Sequence, residues 1–413
     1  MASIGWIDFS KKQKEQTLAV LDFLKPEGKV DELGVGIIRD AIADQLFPGI
    51  STIHTRAKYF FIIPNIMWEY SHLTYKQKKE KPLKEYLKKK ENEIMYRLSL
   101  AYNKQEGHGV IGITKNYGDE IARPPSVIYW RAINTFRFIN FKDYSLDMYV
   151  SHFSKHQKQD VGMYVPMGDD GPKDDAANNY ENSMGIFTRY NKDFAQLVSL
   201  DLDEDEADDF SERILKYANE SLLAELLRNP ELQKLFFELD SYGKESFIKF
   251  AQQATQHITN KKLNYLIKLA HDFSFALYGA NITYNQIIQR NLKSDEHFDE
   301  LWEGWIEKIP EIFLNSDELH VESFSFLAPN LKPYTYRFLQ NWFKLIREKD
   351  FKSDTRFILV EKQEYDNKKG KARIRHQKFD DCKKNLWLGF GYLDYRYNNA
   401  KTILKDIQSA LNA

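Results

Sequence analysis

One cysteine, Cys382, stands in 413 residues, too few for a disulfide framework or for any multi-cysteine zinc or iron–sulfur site. So little cysteine fits a reducing compartment, and a cytoplasmic location is expected. Glycine and proline are also scarce, at 19 and 12 residues, where average usage would be about 12% of a chain for the two together. Few turn formers imply long elements. Charge of one sign is missing too: 59 basic residues face 60 acidic ones, for a formal charge of −1. This excludes a histone-like or tail-driven nucleic-acid binder, so any such binding must come from a local patch. The longest purely apolar run, Tyr59–Ile63, is far short of the roughly 20 residues a membrane helix needs. The opening MASIGWIDFSKKQKEQ lacks an apolar core and a cleavage site, so no secretory signal is expected.

Catalytic signatures are missing as well. No Walker A, GxGxxG, nucleophile elbow, zincin or kinase set occurs, and no catalytic residue, cofactor or metal site is expected. His152 and His156 share helical spacing, but no third ligand stands nearby, and they read as surface histidines. Seven carboxylates crowd Asp201–Asp209. They are consecutive and no glycine turn organises them, so they read as an acidic helix start, not a calcium loop. Glu361-Lys362 after Phe357–Val360 lacks the Glu-x-Lys spacing of a nuclease core and reads equally well as a helix.

What the sequence has in quantity is helical periodicity, with 42% apolar residues and 28 Phe, 24 Tyr and 7 Trp to fill a core. Ser10 caps an expected helix over about Lys11–Leu24. A second begins near Glu32 with the stripe Val35, Ile38, Ile42 and Leu46. After the Phe47-Pro48-Gly49 turn, Ser51 or Thr52 is expected to cap a third, running through Ile53, Ala57, Phe60 and Phe61. Lys76–Lys90 reads as a charged surface helix broken at Pro82. Pro124-Pro125-Ser126 prepares a helix through Ile128–Phe136. Asp203 and Glu206 stand at capping-box spacing, and Ser221 caps Leu222–Leu227. Further stripes run through Leu263–Leu277, Phe298–Ile312, Tyr334–Ile346 and Ile403–Leu411. The expected fold is mainly α and multi-helical, with at most a few short strands. A Gly/Asp-rich linker over 154–181 is expected to join an N-terminal domain, 1–153, to a C-terminal one, 182–413.

Two features could hold nucleic acid. Residues 32–69 read as two helices joined by a tight turn, the second opening with short polar residues and then cations. This is what a helix-turn-helix reader requires, and His54, Thr55, Arg56 and Lys58 are its candidate contacts. The same segment reads more simply as an ordinary helical hairpin with solvated charges. The second feature is the run 368–378, whose Lys368, Lys369, Lys371, Arg373, Arg375 and Lys378 include no acid among them. It could contact phosphate, dock a protein or simply be solvated.

Several phrases together carry a resemblance: IGWIDFS at the start, DELGVGIIRDAIADQLFPGISTIHTRAKYFFIIPNI, GVIGI with PPSVIYWRAI, SLLAELL, DFSFALYGANITYN, and GYLDYRYNNAKTILKDI near the end. In this order the chain resembles a bacterial family known only as a domain of unknown function. Two departures are visible. Tyr397 stands where members carry Trp, and after GVIGI, where members have a basic stretch, this chain has Lys115 and then Asp119-Glu120, which weakens a phosphate-binding role for that loop. The resemblance implies a gene in a defence island beside a helicase with a phospholipase-D-type nuclease domain, as in an Azaca-type anti-phage system. It therefore implies a non-catalytic accessory subunit that binds this helicase–nuclease partner and, through the patches above, DNA, with no membrane role. A metal-dependent nuclease of unusual motif and a DNA-binding regulator are the alternatives.

Overall fold

A computed structural model describes residues 31–141, 144–155, 184–186, 194, 196–239, 246–294, 296–312, 319–379, 382, 384 and 386–413. Among the described residues, 65% are helical, in seventeen α-helices, and no strand occurs beyond one isolated antiparallel bridge between Ile139 and Ile186. The fold is mainly α, as the periodicity indicates. The expected helix over Lys11–Leu24, His156 and nearly all of the expected linker lie outside the described residues.

The helices are α1 (Gly36–Leu46), α2 (Tyr59–Ser71), α3 (Tyr75–Glu80), α4 (Leu83–Ala101), α5 (Pro125–Thr135), α6 (Leu146–Lys155), α7 (Glu204–Tyr217), α8 (Leu222–Arg228) and α9 (Pro230–Glu238). They continue as α10 (Ser246–Ala254), α11 (Lys261–Asn291), α12 (Glu296–Ile312), α13 (Val321–Ser325), α14 (Pro333–Glu348), α15 (Thr355–Lys368), α16 (Arg373–His376) and α17 (Tyr397–Leu411). Local chemistry sets many of the ends. Asp203 and Glu206 form the reciprocal capping box of α7, and the Ser221 hydroxyl accepts from Ala224 N–H at the start of α8. Asn229 closes α8 and caps α9, whose first residue is Pro230. Pro82 separates α3 from α4. The Glu361-Lys362 segment is helical, within α15.

Two starts differ from expectation. α1 begins at Gly36, not Glu32. α2 begins at Tyr59 with Lys58 as its N-cap, so 51–58 is irregular and Arg56 and Lys58 precede the helix. The reason is tertiary. Thr55 and Arg56 N–H both donate to the Tyr129 hydroxyl, at 2.8 and 3.2 Å, and Ala57 N–H donates to Asp406 Oδ2 at 2.7 Å. Donors that would feed a helical ladder are satisfied by distant side chains instead. The turn before this segment needs its glycine: Gly49 has φ +77°, and a Cβ there would lie 2.7 Å from the Phe136 ring.

The chain divides into two compact units, each gathering separate stretches. One comprises Met1–Ile42, Phe247–Thr255 and Tyr265–Asp394. Its core is built on Trp305 and Trp342, whose indole N–H groups donate to Phe275 O and Ala276 O on α11. α14 packs on α15 and on α13. Gly279 faces Trp305 so closely that a Cβ would sit 2.3 Å from its ring. The other unit comprises Ala43–Ser246, Gln256–Asn264 and Tyr395–Ala413. There α2 packs on α4 and α5, and α7 packs on α17. Phe60, fully buried, centres an aromatic cluster with Tyr129, Phe136, Phe138 and Phe210 at centroid distances of 4.5–5.8 Å.

Candidate nucleic-acid interface

The first group of candidate contacts, His54, Thr55, Arg56 and Lys58, is drawn together in the second unit, with every member bonded internally. The His54 ring stacks on Tyr129 at 4.2 Å. Its Nδ1 accepts from Ser51 N–H, and its Nε2 bonds Ile128 O at 3.3 Å. Burial pushes its pKa down to about 4, so the ring is neutral at pH 7. The Thr55 hydroxyl donates to Gly109 O at 2.7 Å.

Arg56 is held by two carboxylates. Nε donates to Asp406 at 3.0 Å, and Nη2 to Asp201 Oδ1 at 2.7 Å. Burial works against its charge, but Asp406 and Asp201 outweigh it and hold its pKa above the ordinary value. Lys58, only 6% exposed, pairs with Glu206 at 2.5 Å. Glu206 is also the capping-box acid of α7. The acidic stretch from Asp201 thus does two jobs: it begins a helix, and it neutralises the cations of the 51–58 segment. Nothing local signals that pairing, because the partners lie 145 to 350 residues apart.

The basic run 368–378 belongs to the other unit and splits into inward and outward residues. Lys368 and Arg373 point inward onto Glu32, which is 2% exposed; Arg373 Nη1 reaches Oε1 at 2.9 Å, and Lys368 takes Oε2. Glu364, fully buried, accepts from Arg373 N–H at 2.8 Å and Ile374 N–H at 2.9 Å. It thereby satisfies the first free donors of α16. The Tyr284 hydroxyl adds a third bond to it at 3.1 Å. Burial raises the Glu364 pKa above its ordinary value even against these donors. Asn367 Nδ2 bonds Asp31 O and Glu32 O, tying the end of α15 to the same place.

Lys369, Lys371, Arg375 and Lys378 are exposed. Two of them, Lys369 and Arg375, lie against aromatic rings. Lys369 Nζ lies 5.7 Å from the Tyr334 centroid and 5.5 Å from that of Tyr365. The Arg375 guanidinium sits 4.1 Å over Tyr365, and Lys332 lies 5.5 Å from Tyr334. The loop is braced from within: Lys378 Nζ donates to Gly370 O at 2.9 Å, and His376 Nε2 bonds Lys369 O at 3.2 Å. Lys369 and Gln377 both take positive φ, at +50° each, and Gln377 is left-handed helical; the run folds back on α15. The rings of Tyr334 and Tyr365, the cation Lys332 and the two buried acids are absent from the sequence-derived set. Their one signal is spacing: Tyr365 lies three residues before Lys368.

The remaining sequence candidates take ordinary places. His152, on α6, packs against Tyr144 and Phe153. Among the described residues, no group of three or more His, Cys, Asp or Glu side chains is placed to hold a metal ion, and no helix is long and apolar enough to cross a membrane. A family model described as a family of unknown function (DUF6361) matches residues 1–410 of the chain. No curated protein and no solved structure matches it.

Proposed function

The chain belongs to this family of unknown function, and we propose that it is a nucleic-acid-binding, non-catalytic subunit of a bacterial anti-phage complex. The observation that carries this reading is the outward half of the basic run. Four cations, Lys369, Lys371, Arg375 and Lys378, are exposed on a braced loop; Lys369, which also pairs with Asp366 at 3.2 Å, lies near the Tyr334 and Tyr365 rings, and Arg375 lies over Tyr365. Phosphates meet the cations, and the bracing lowers the ordering cost of binding. Arg56 and Lys58 are given a structural role in this reading, since carboxylates already hold both. The accessory role, the cytoplasmic location and the helicase–nuclease partner rest on the sequence, which has no catalytic motif and resembles defence-island proteins.

Fluorescence anisotropy with a labelled oligonucleotide tests the binding. With all four cations on phosphate, log K should fall with log salt at a slope of about −3. Lys371→Ala with Arg375→Ala should weaken binding and flatten that slope by one to two units. Unchanged affinity and slope would overturn the assignment of the patch. A pull-down with the neighbouring gene products tests the subunit role. Cleavage of DNA by the pure protein with magnesium, abolished by EDTA and surviving repurification, would replace it with the nuclease alternative.

A further inference from the structure

We infer that the ligand of the 369–378 patch is single-stranded nucleic acid, held by stacking of unpaired bases; this rests on the nucleic-acid-binding reading above and narrows it to one class. In a duplex the base faces are already stacked on one another, and only phosphates and groove edges are open to a protein. A flat ring or guanidinium on a protein surface gains from a base only when that base is unpaired.

The patch is built of such platforms. Arg375 is exposed and its guanidinium carbon lies 4.1 Å from the centre of the half-buried Tyr365 ring, so an aromatic ring backs an exposed guanidinium. Tyr334, also half-buried, carries Lys332 and Lys369 near its ring. Lys369 stands within 6 Å of both tyrosine rings and is steadied there by Asp366, 3.2 Å from its Nζ. Lys371 and Lys378 supply charge on the same loop, with no ring of the described residues within cation–π range. This alternation of platform and cation suits a strand that offers base, phosphate and base in turn.

The surroundings fit a strand better than a groove reader. The element that carries Arg375 is α16, four residues long, and it is anchored at its N-terminus by Glu364. It cannot extend into a major groove as a recognition helix does. Glu32 and Glu364 fix the inward half of the run, so the outward side chains are presented from a settled backbone.

Anisotropy with labelled oligo-dT and oligo-U, each beside a duplex of equal length, tests the inference on the full chain. Either single strand should bind at least about tenfold more tightly than its duplex, the scale of one stacked base. Arg375→Lys keeps the charge and removes the plane; it should erase most of that preference while leaving the salt slope unchanged. Tyr365→Leu should do the same, and circular dichroism on both variants checks that the helices persist. Lys371→Gln should reduce the slope by about 0.7 and leave the preference intact. Equal affinity for strand and duplex, with both lost on Lys371→Gln and Arg375→Lys alike, would overturn the single-strand inference and leave nucleic-acid binding standing. Binding to neither form would overturn the underlying reading itself.

Discussion

Glu91 offers a test of the interior that needs no ligand. It lies on α4, 1% exposed, and its two oxygens accept from Ser126 N–H at 2.6 Å and from the Ser126 hydroxyl at 3.0 Å. Ser126 is in the first turn of α5, so the carboxyl caps that helix from outside. Burial pushes its pKa up from 4.5 to about 7, against the two Ser126 hydrogen bonds that favour the anion. The unfolded chain therefore releases this proton more readily than the folded one. Stability from the neutral form is complete below pH 4.5 and is lost as pH rises through about 7. Between pH 5 and pH 8 the loss is on the order of 2–3 kcal/mol. Glu91→Gln keeps an acceptor for the Ser126 N–H and cannot ionise. At pH 5 the variant should match the wild type. At pH 8 it should be the more stable, with a melting temperature higher by roughly 2–4 °C, since about 2.1 cal/mol/K per residue over 413 residues makes each kcal/mol worth slightly more than 1 °C. Differential scanning calorimetry at both pH values reads this directly. Parallel pH profiles for the two proteins would show that Glu91 does not titrate in the folded chain, and the reasoning would fail.

Two further substitutions probe the cores. Gly279→Ala, in the middle of α11, should destabilise by about 1–3 kcal/mol, because its Cβ would meet the buried Trp305 ring at 2.3 Å. Helix propensity alone predicts a gain of about 1 kcal/mol, so a variant with a raised urea midpoint would show that the ring yields. Phe60→Ala removes the centre of the aromatic cluster and should cost on the order of 3–5 kcal/mol. A soluble variant with an unchanged melting temperature would mean that the cluster does not stabilise the fold.

Helix identity was legible in the sequence because it depends on neighbours within about four residues. The Asp203–Glu206 box, the Ser221 cap, the break at Pro82 and the buried stripe Val35, Ile38, Ile42 and Leu46 all follow from spacing alone. So did the overall class, since a chain poor in Gly and Pro and rich in helical stripes has few other ways to bury its aromatics. The partners of charged groups were not legible. Arg56 looks the same in sequence whether it faces phosphate or Asp406, 350 residues away. Its backbone does too, although the Tyr129 hydroxyl and Asp406 take the N–H groups that the local pattern assigns to a helix. Six cations in 368–378 likewise read as one patch. Only the tertiary structure turned Lys368 and Arg373 onto Glu32, more than 330 residues distant, and left Lys369, Lys371, Arg375 and Lys378 facing solvent. A hydrogen-bonding period is encoded by adjacent residues, whereas an ion pair is decided by which distant acid the packed core brings within 3 Å, and no local pattern carries that information.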